Sequence, residues 1–81
     1  MKPFTVLLLY PDYIAETFGH ETYLAFVEAT DVVHAIEAAQ RRATRVNLDE
    51  ISPENFADFY PVYVAAGHHY DLNSLSEKQP G

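Results

Sequence analysis

The sequence predicts an α+β fold, a two-layer β-β-α-β sandwich in which one main helix covers one face of a three-stranded sheet. Three observations predict it. Residues 4–10, FTVLLLY, are apolar at both parities, as is typical of a central strand covered on both faces. The apolar period changes from two to 3.6 after Thr30, which predicts a helix between the second and third strands. Pro61 lacks an N–H donor, which favours an edge position for the third strand.

The second strand is predicted over residues 21–29, ETYLAFVEA. Alternation places Leu24 and Phe26 on one face of the sheet. The opposite face receives residues that are mostly small and would let a helix approach closely: Tyr23, Ala25, Val27 and Ala29. We therefore expect the helix to pack on the face that carries these small residues.

The helix is predicted over residues 32–46, with Thr30 or Asp31 as its N-cap. Spacings of three and four residues form one apolar stripe, made of Val32, Ala35, Ile36, Ala39, Ala43 and Val46. The opposite side is polar and consists of Glu37, Gln40, Arg41 and Arg45. Residues 22–43 resemble strand–helix units of many small α/β modules, including some antitoxin-like proteins, without singling out a family.

The connection after the helix is predicted to contain one helical turn, capped by Ser52 with Pro53 at its first position. The third strand is predicted over residues 59–67. The helix connects strands two and three. If these strands are parallel, their crossover should be right-handed. Strand one then fits between them, antiparallel to both, which gives the order 2-1-3. We expect one domain over residues 1–72 and a flexible polar tail over residues 73–81.

One sheet face then has no main helix. It is expected to carry Leu24 and Phe26 together with either Phe59 and Tyr63 or Tyr60 and Val62 of the third strand. Either residues 11–20 close this face or another chain does, because monomers rarely expose a large apolar patch. A homodimer is the commonest solution.

The charge of the chain is −7, from 12 acidic and 5 basic side chains, and this disfavours direct nucleic-acid binding. An acidic surface is predicted from Asp49, Glu50, Glu54 and Asp58. No segment has the length of a membrane span, and a cytoplasmic location is expected.

The stretch GHHYDL places His68, His69 and Asp71 close together in the sequence, as weak candidates for a metal site. Neighbouring strand residues point to opposite faces, which argues against shared coordination. The chain has no cysteine and no nucleophile or phosphate-loop motif, so an enzyme is disfavoured and no cofactor is expected.

Three hypotheses follow for the function. The first is a small acidic interaction module that binds an unknown protein partner and associates with itself through Leu24, Phe26, Tyr60 and Tyr63. The second is an acidic decoy that imitates nucleic acid and inhibits a basic nucleic-acid-binding protein. The third is a small metal-binding protein or enzyme that uses His68, His69 and Asp71.

Overall fold

A computed structural model describes residues 1–11, 13 and 22–69 of the protein. In chain order these residues form strand β1 (Lys2–Leu9), strand β2 (Thr22–Ala29), helix α1 (Val32–Arg45), a 3₁₀ helix (Pro53–Asp58) and strand β3 (Tyr60–Ala66). The described elements therefore follow the β-β-α-β order expected from the sequence.

The three strands form one sheet in the order β2-β1-β3, which confirms the predicted topology. β1 is central and antiparallel to both neighbours. The apolar residues of one parity face α1, and those of the other parity lie on the opposite face of the sheet. This explains why both parities of β1 are apolar. The pairing with β2 is unbroken from Lys2–Ala29 to Leu9–Thr22.

The pairing of β1 with β3 contains a bulge. Leu7 pairs with Tyr63, but the next residue, Leu8, pairs with Pro61, so Val62 is the extra residue. A bulge at an edge strand is a common way to end regular pairing. Pro61 lies in this edge strand, as predicted, where its missing donor costs least.

The core lies between the sheet and α1. It consists of Phe4, Val6, Leu8, Ala25, Val27, Ala29, Ala35, Ala39, Ala43, Ile51 and Phe59. Three of the helix residues in this core are alanines with no exposed surface. They pack chiefly over β2, whose small side chains allow the close approach expected from the sequence.

The buried side of α1 differs from the predicted stripe. Ile36 is only half-buried, and Val32 and Val46 are 48% and 60% exposed. Gln40, which was predicted to lie on the polar side, is buried. The reason is that the connection and the 3₁₀ helix also pack against α1. Gln40 Nε2 donates to the Phe59 carbonyl at 2.9 Å across that contact.

The helix boundaries follow local hydrogen bonding. Asp31 is the N-cap, and its carboxylate accepts from the His34 backbone N–H at 2.9 Å. Glu37 and Arg41, both on the predicted polar side, form an ion pair one turn apart, with 2.8 Å between Arg41 Nε and Glu37 Oε2. Ser52 occupies the N-cap position of the 3₁₀ helix and Pro53 follows it, as predicted, but Ser52 makes no side-chain cap hydrogen bond.

Two predictions fall largely outside the described residues. The segment 11–20, which was expected to close the second sheet face if another chain does not, is described only at Pro11, which is buried, and Tyr13, which is exposed. The tail over residues 73–81 and the domain end at residue 72 also lie outside them. Within the described part of the chain, no helix is long and apolar enough to cross a membrane.

Candidate functional site

The sheet face opposite α1 is the candidate site, called here the open face. Strand pairing arranges it in rows: Leu7 lies between Leu24 and Tyr63, and Leu9 pairs with Tyr60. A third row is formed by Thr5, between Phe26 and Ala65. The four predicted partner-binding residues, Leu24, Phe26, Tyr60 and Tyr63, therefore belong to one face.

The bulge is what brings Tyr60 and Tyr63 together. Residues three apart on a regular strand point to opposite faces. Because Val62 is an extra residue, Tyr60 pairs with Leu9 and Tyr63 pairs with Leu7, two residues of the same parity. Phe59 lies instead in the core against Tyr10, with ring centroids 5.3 Å apart. The expectation that the face would carry either Phe59 with Tyr63 or Tyr60 with Val62 was wrong for this reason.

The open face is not uniformly accessible. Tyr60 and Tyr63 are 63% and 47% exposed, whereas Leu24 and Phe26 are half-buried. Thr5 has no exposed surface, although it lies on this face. Exposure therefore increases from the Thr5 row towards the tyrosines.

Residues 67–69, called here the strap, cover the Thr5 row. Gly67 N–H donates to the Pro3 carbonyl at 2.8 Å, which extends the β1–β3 pairing by one bond. Gly67 then turns the chain with a φ of 90°, a conformation that favours glycine. The Thr5 hydroxyl donates to the Gly67 carbonyl at 2.7 Å and accepts from the His69 N–H at 2.8 Å. One hydroxyl on β1 thus holds both ends of the strap.

His68 carries the strap across to β2. Its Nε2 lies 3.0 Å from the Val27 carbonyl oxygen. Its ring meets the Phe26 ring edge-to-face, with centroids 5.8 Å apart. This contact explains in part why Phe26 is less exposed than Tyr60 and Tyr63.

Both histidines have a structural role that the sequence did not indicate. His69 Nε2 lies 2.6 Å from the Ala66 carbonyl oxygen. A carbonyl oxygen only accepts, so Nε2 of each histidine carries the hydrogen in these contacts and donates it. Asp71, the third candidate metal ligand, lies outside the described residues, and within those residues no group of three His, Asp or Glu side chains could hold a metal.

Thr5 is the residue that sequence reasoning missed. It is a single hydroxyl inside an apolar strand, flanked by Phe4 and Val6. A buried hydroxyl needs hydrogen-bond partners, so this position carried a signal. Its partners are 62 and 64 residues away in the chain, and no local pattern indicates them.

The predicted acidic surface lies on the connection between α1 and β3, away from the open face. Asp49, Glu50, Glu54 and Asp58 are all exposed. The Tyr13 hydroxyl donates to Asp58 Oδ2. This hydrogen bond, with smaller effects of burial and of the Asp58 charge, raises the pKa of Tyr13 to about 12.

Positive charge interrupts this acidic surface. The Arg41 guanidinium carbon lies 4.1 Å from the centroid of the Phe56 ring, in the middle of the 3₁₀ helix. Arg41 and Arg45 also line a shallow groove beside Pro53. The carboxylates therefore do not form an unbroken acidic row.

Comparison with models of known protein families, with curated proteins and with solved structures found no match for this chain. The function therefore has to be argued from its own residues.

Proposed function

We propose that the protein is a small interaction module that associates with a second copy of itself through the open face. The observation that carries the proposal is the row formed by Leu24, Leu7 and Tyr63, with Tyr60 beside it. Tyrosines that are 63% and 47% exposed next to leucines form the kind of amphipathic surface that protein interfaces favour.

The distribution of charge supports a second copy as the partner. Two chains of charge −7 repel each other. Among the paired strand residues of the open face, however, Glu28 is the one charged side chain, and it lies at the end opposite Pro3. The 3₁₀ helix, which carries Glu54 and Asp58, packs against α1. Two open faces can therefore meet in a two-fold arrangement without placing like charges directly opposite each other.

The size of the face indicates the affinity. Strand spacing of about 4.8 Å and a rise of about 3.4 Å per residue give two strands of eight residues and one of seven a face of about 375 Å². A standard interface buries about 800 Å² on each partner. We therefore expect a reversible dimer that forms at micromolar or higher concentration rather than an obligate one.

Sedimentation equilibrium tests this proposal directly. The wild-type chain should associate, and Tyr63→Asp should weaken association at least about tenfold, as expected for loss of an anchor worth about 1.4 kcal/mol. Val33→Asp is the matched control, because Val33 is 71% exposed on α1 and lies on the opposite side of the molecule. A wild-type chain that stays monomeric, or equal association of both variants, would contradict the proposal.

The two alternatives have less support. The acidic decoy needs a continuous row of carboxylates, whereas Arg41 lies over Phe56 within that surface. The metal-binding alternative needs at least three converging ligands, whereas the described residues contain no group of three His, Asp or Glu side chains that could hold a metal ion.

A further inference from the structure

We infer that the strap is an autoinhibitory contact: it occupies the Phe26 end of the open face and must open before a second copy can use the whole face. This inference rests on the proposed function, because it concerns the regulation of the same surface. The strap contacts Thr5 and Phe26, which form one row of the open face.

The strap is held on the sheet by hydrogen bonds and by a ring contact. Its backbone is fixed by the two hydrogen bonds of the Thr5 hydroxyl and by the bond from Gly67 N–H to Pro3. His68 adds one bond to the Val27 carbonyl and one ring contact. A typical hydrogen bond contributes little net stability, because water replaces it when it breaks. The strap can therefore open without unfolding the sheet, as local segments of proteins commonly do.

Opening changes what a partner meets. With the strap closed, Thr5 has no exposed surface and His68 lies against the edge of Phe26. With the strap open, the Phe26 row joins the row of Leu24, Leu7 and Tyr63 in one continuous surface. If only the open form offers the whole face, the apparent affinity is the intrinsic affinity reduced by the open fraction. Variants that open the strap should then associate more tightly.

Thr5→Val tests this by removing the hydroxyl while keeping the shape of the side chain. Loss of the two Thr5 bonds should accelerate hydrogen exchange of the His69 amide about tenfold or more. The dissociation constant of the dimer, measured by sedimentation equilibrium, should fall by a similar factor. Thr5→Ser is the matched control, since it keeps the hydroxyl and should resemble the wild type in both measurements.

Gly67→Ala opens the strap from its other end and guards against a folding defect in Thr5→Val. The φ of 90° at Gly67 is unfavourable for alanine, and an added Cβ would lie 3.3 Å from His69 Nε2. This variant should also exchange the His69 amide faster and associate more tightly. Agreement between two variants that act through different atoms would support the strap as the cause.

Three results would overturn the inference: unchanged exchange of the His69 amide in both variants, faster exchange with unchanged association, or faster exchange with weaker association. The last result would make the strap part of the interface. If the wild type stays monomeric while both opened variants dimerise, association through the resting open face is wrong but autoinhibition stands. If neither the wild type nor the opened variants associate, both proposals fail.

Discussion

Gln40 and Phe59 join the helix to the segment that leads into β3. The Gln40 side-chain amide donates to the Phe59 carbonyl at 2.9 Å, and both residues are buried. The Phe59 ring fills the core beside Tyr10 at the same place. One polar contact therefore satisfies a buried carbonyl and positions the largest buried side chain among the described residues.

Gln40→Leu should destabilise the protein by about 1–3 kcal/mol, because the Phe59 carbonyl would remain buried without its donor. Urea unfolding measures this change. Arg45→Leu is a suitable control, since Arg45 is exposed on the same helix and a surface change should stay within about 0.5 kcal/mol. Equal urea midpoints for the two variants would mean that water donates to the Phe59 carbonyl in place of Gln40.

The alanines of α1 set its distance from the sheet. Ala39 has no exposed surface, so Ala39→Leu should overpack the interface and cost about 1–3 kcal/mol. Val33→Leu places the same side chain at a position that is 71% exposed and should leave the melting temperature nearly unchanged. If Ala39→Leu had the same melting temperature as the wild type, α1 would lie farther from β2 than it does in this structure.

Tyr13 should titrate above the ordinary pKa of a tyrosine, which is 10.0. Its hydrogen bond to Asp58 raises its pKa to about 12. Asp58→Asn should return the pKa of Tyr13 towards 10.0, the ordinary value. An NMR titration of the assigned tyrosine rings measures the pKa of Tyr13 in the wild type and in Asp58→Asn. A wild-type pKa near the ordinary value would show that the contact does not persist in solution.

The helix N-cap should make stability depend on pH. The backbone hydrogen bond from His34 lowers the pKa of Asp31 below 3.8, and the side-chain hydrogen bond that His34 Nδ1 donates to the Asp31 carboxylate raises the pKa of His34 above 6.5. Stabilisation by ionised Asp31 is lost as the pH falls through its folded-state pKa. Stabilisation by protonated His34 is lost as the pH rises through its folded-state pKa. The charge pair therefore stabilises the folded protein most at pH values between the pKa of Asp31 and the pKa of His34.

Asp31→Asn isolates that contribution, because asparagine also caps helices but carries no charge. Its melting temperature should fall furthest below that of the wild type between pH 3.8 and 6.5, and the difference should shrink at higher pH and at high salt. A difference that does not change as the pH rises from 6.5 through the folded-state pKa of His34 would show that the cap acts only as a hydrogen-bond acceptor.

The strand order and the helix could be predicted because they depend on local patterns. The apolar run of β1, the change of period after Thr30 and Pro61 together allowed one topology, and that topology is present. The candidate site was predictable in part. The sequence predicted Tyr60 and Tyr63 as partner-binding residues, which stays a prediction, and only the bulge at Val62 explains how they share a face.

Other features depend on contacts between distant parts of the chain. Gln40 is polar and was assigned to the solvent side of α1, yet its donor is needed by a carbonyl 19 residues away. The adjacent histidines suggested a metal site, yet each ring meets a backbone carbonyl. A periodicity shows which side chains can share a face, but it does not show which backbone groups need a partner.

The most direct test of self-association through the open face is an isotope-filtered NMR experiment on an equal mixture of ¹³C-labelled and unlabelled chains. Nuclear Overhauser effects that connect a labelled methyl group with an unlabelled aromatic ring can arise only between two copies. We predict such effects between the Leu24 methyl groups and the ring of Tyr60 or Tyr63, and their loss in Tyr63→Asp. Intermolecular effects at Val33 of α1 instead of at Leu24, or none at millimolar concentration, would contradict the account.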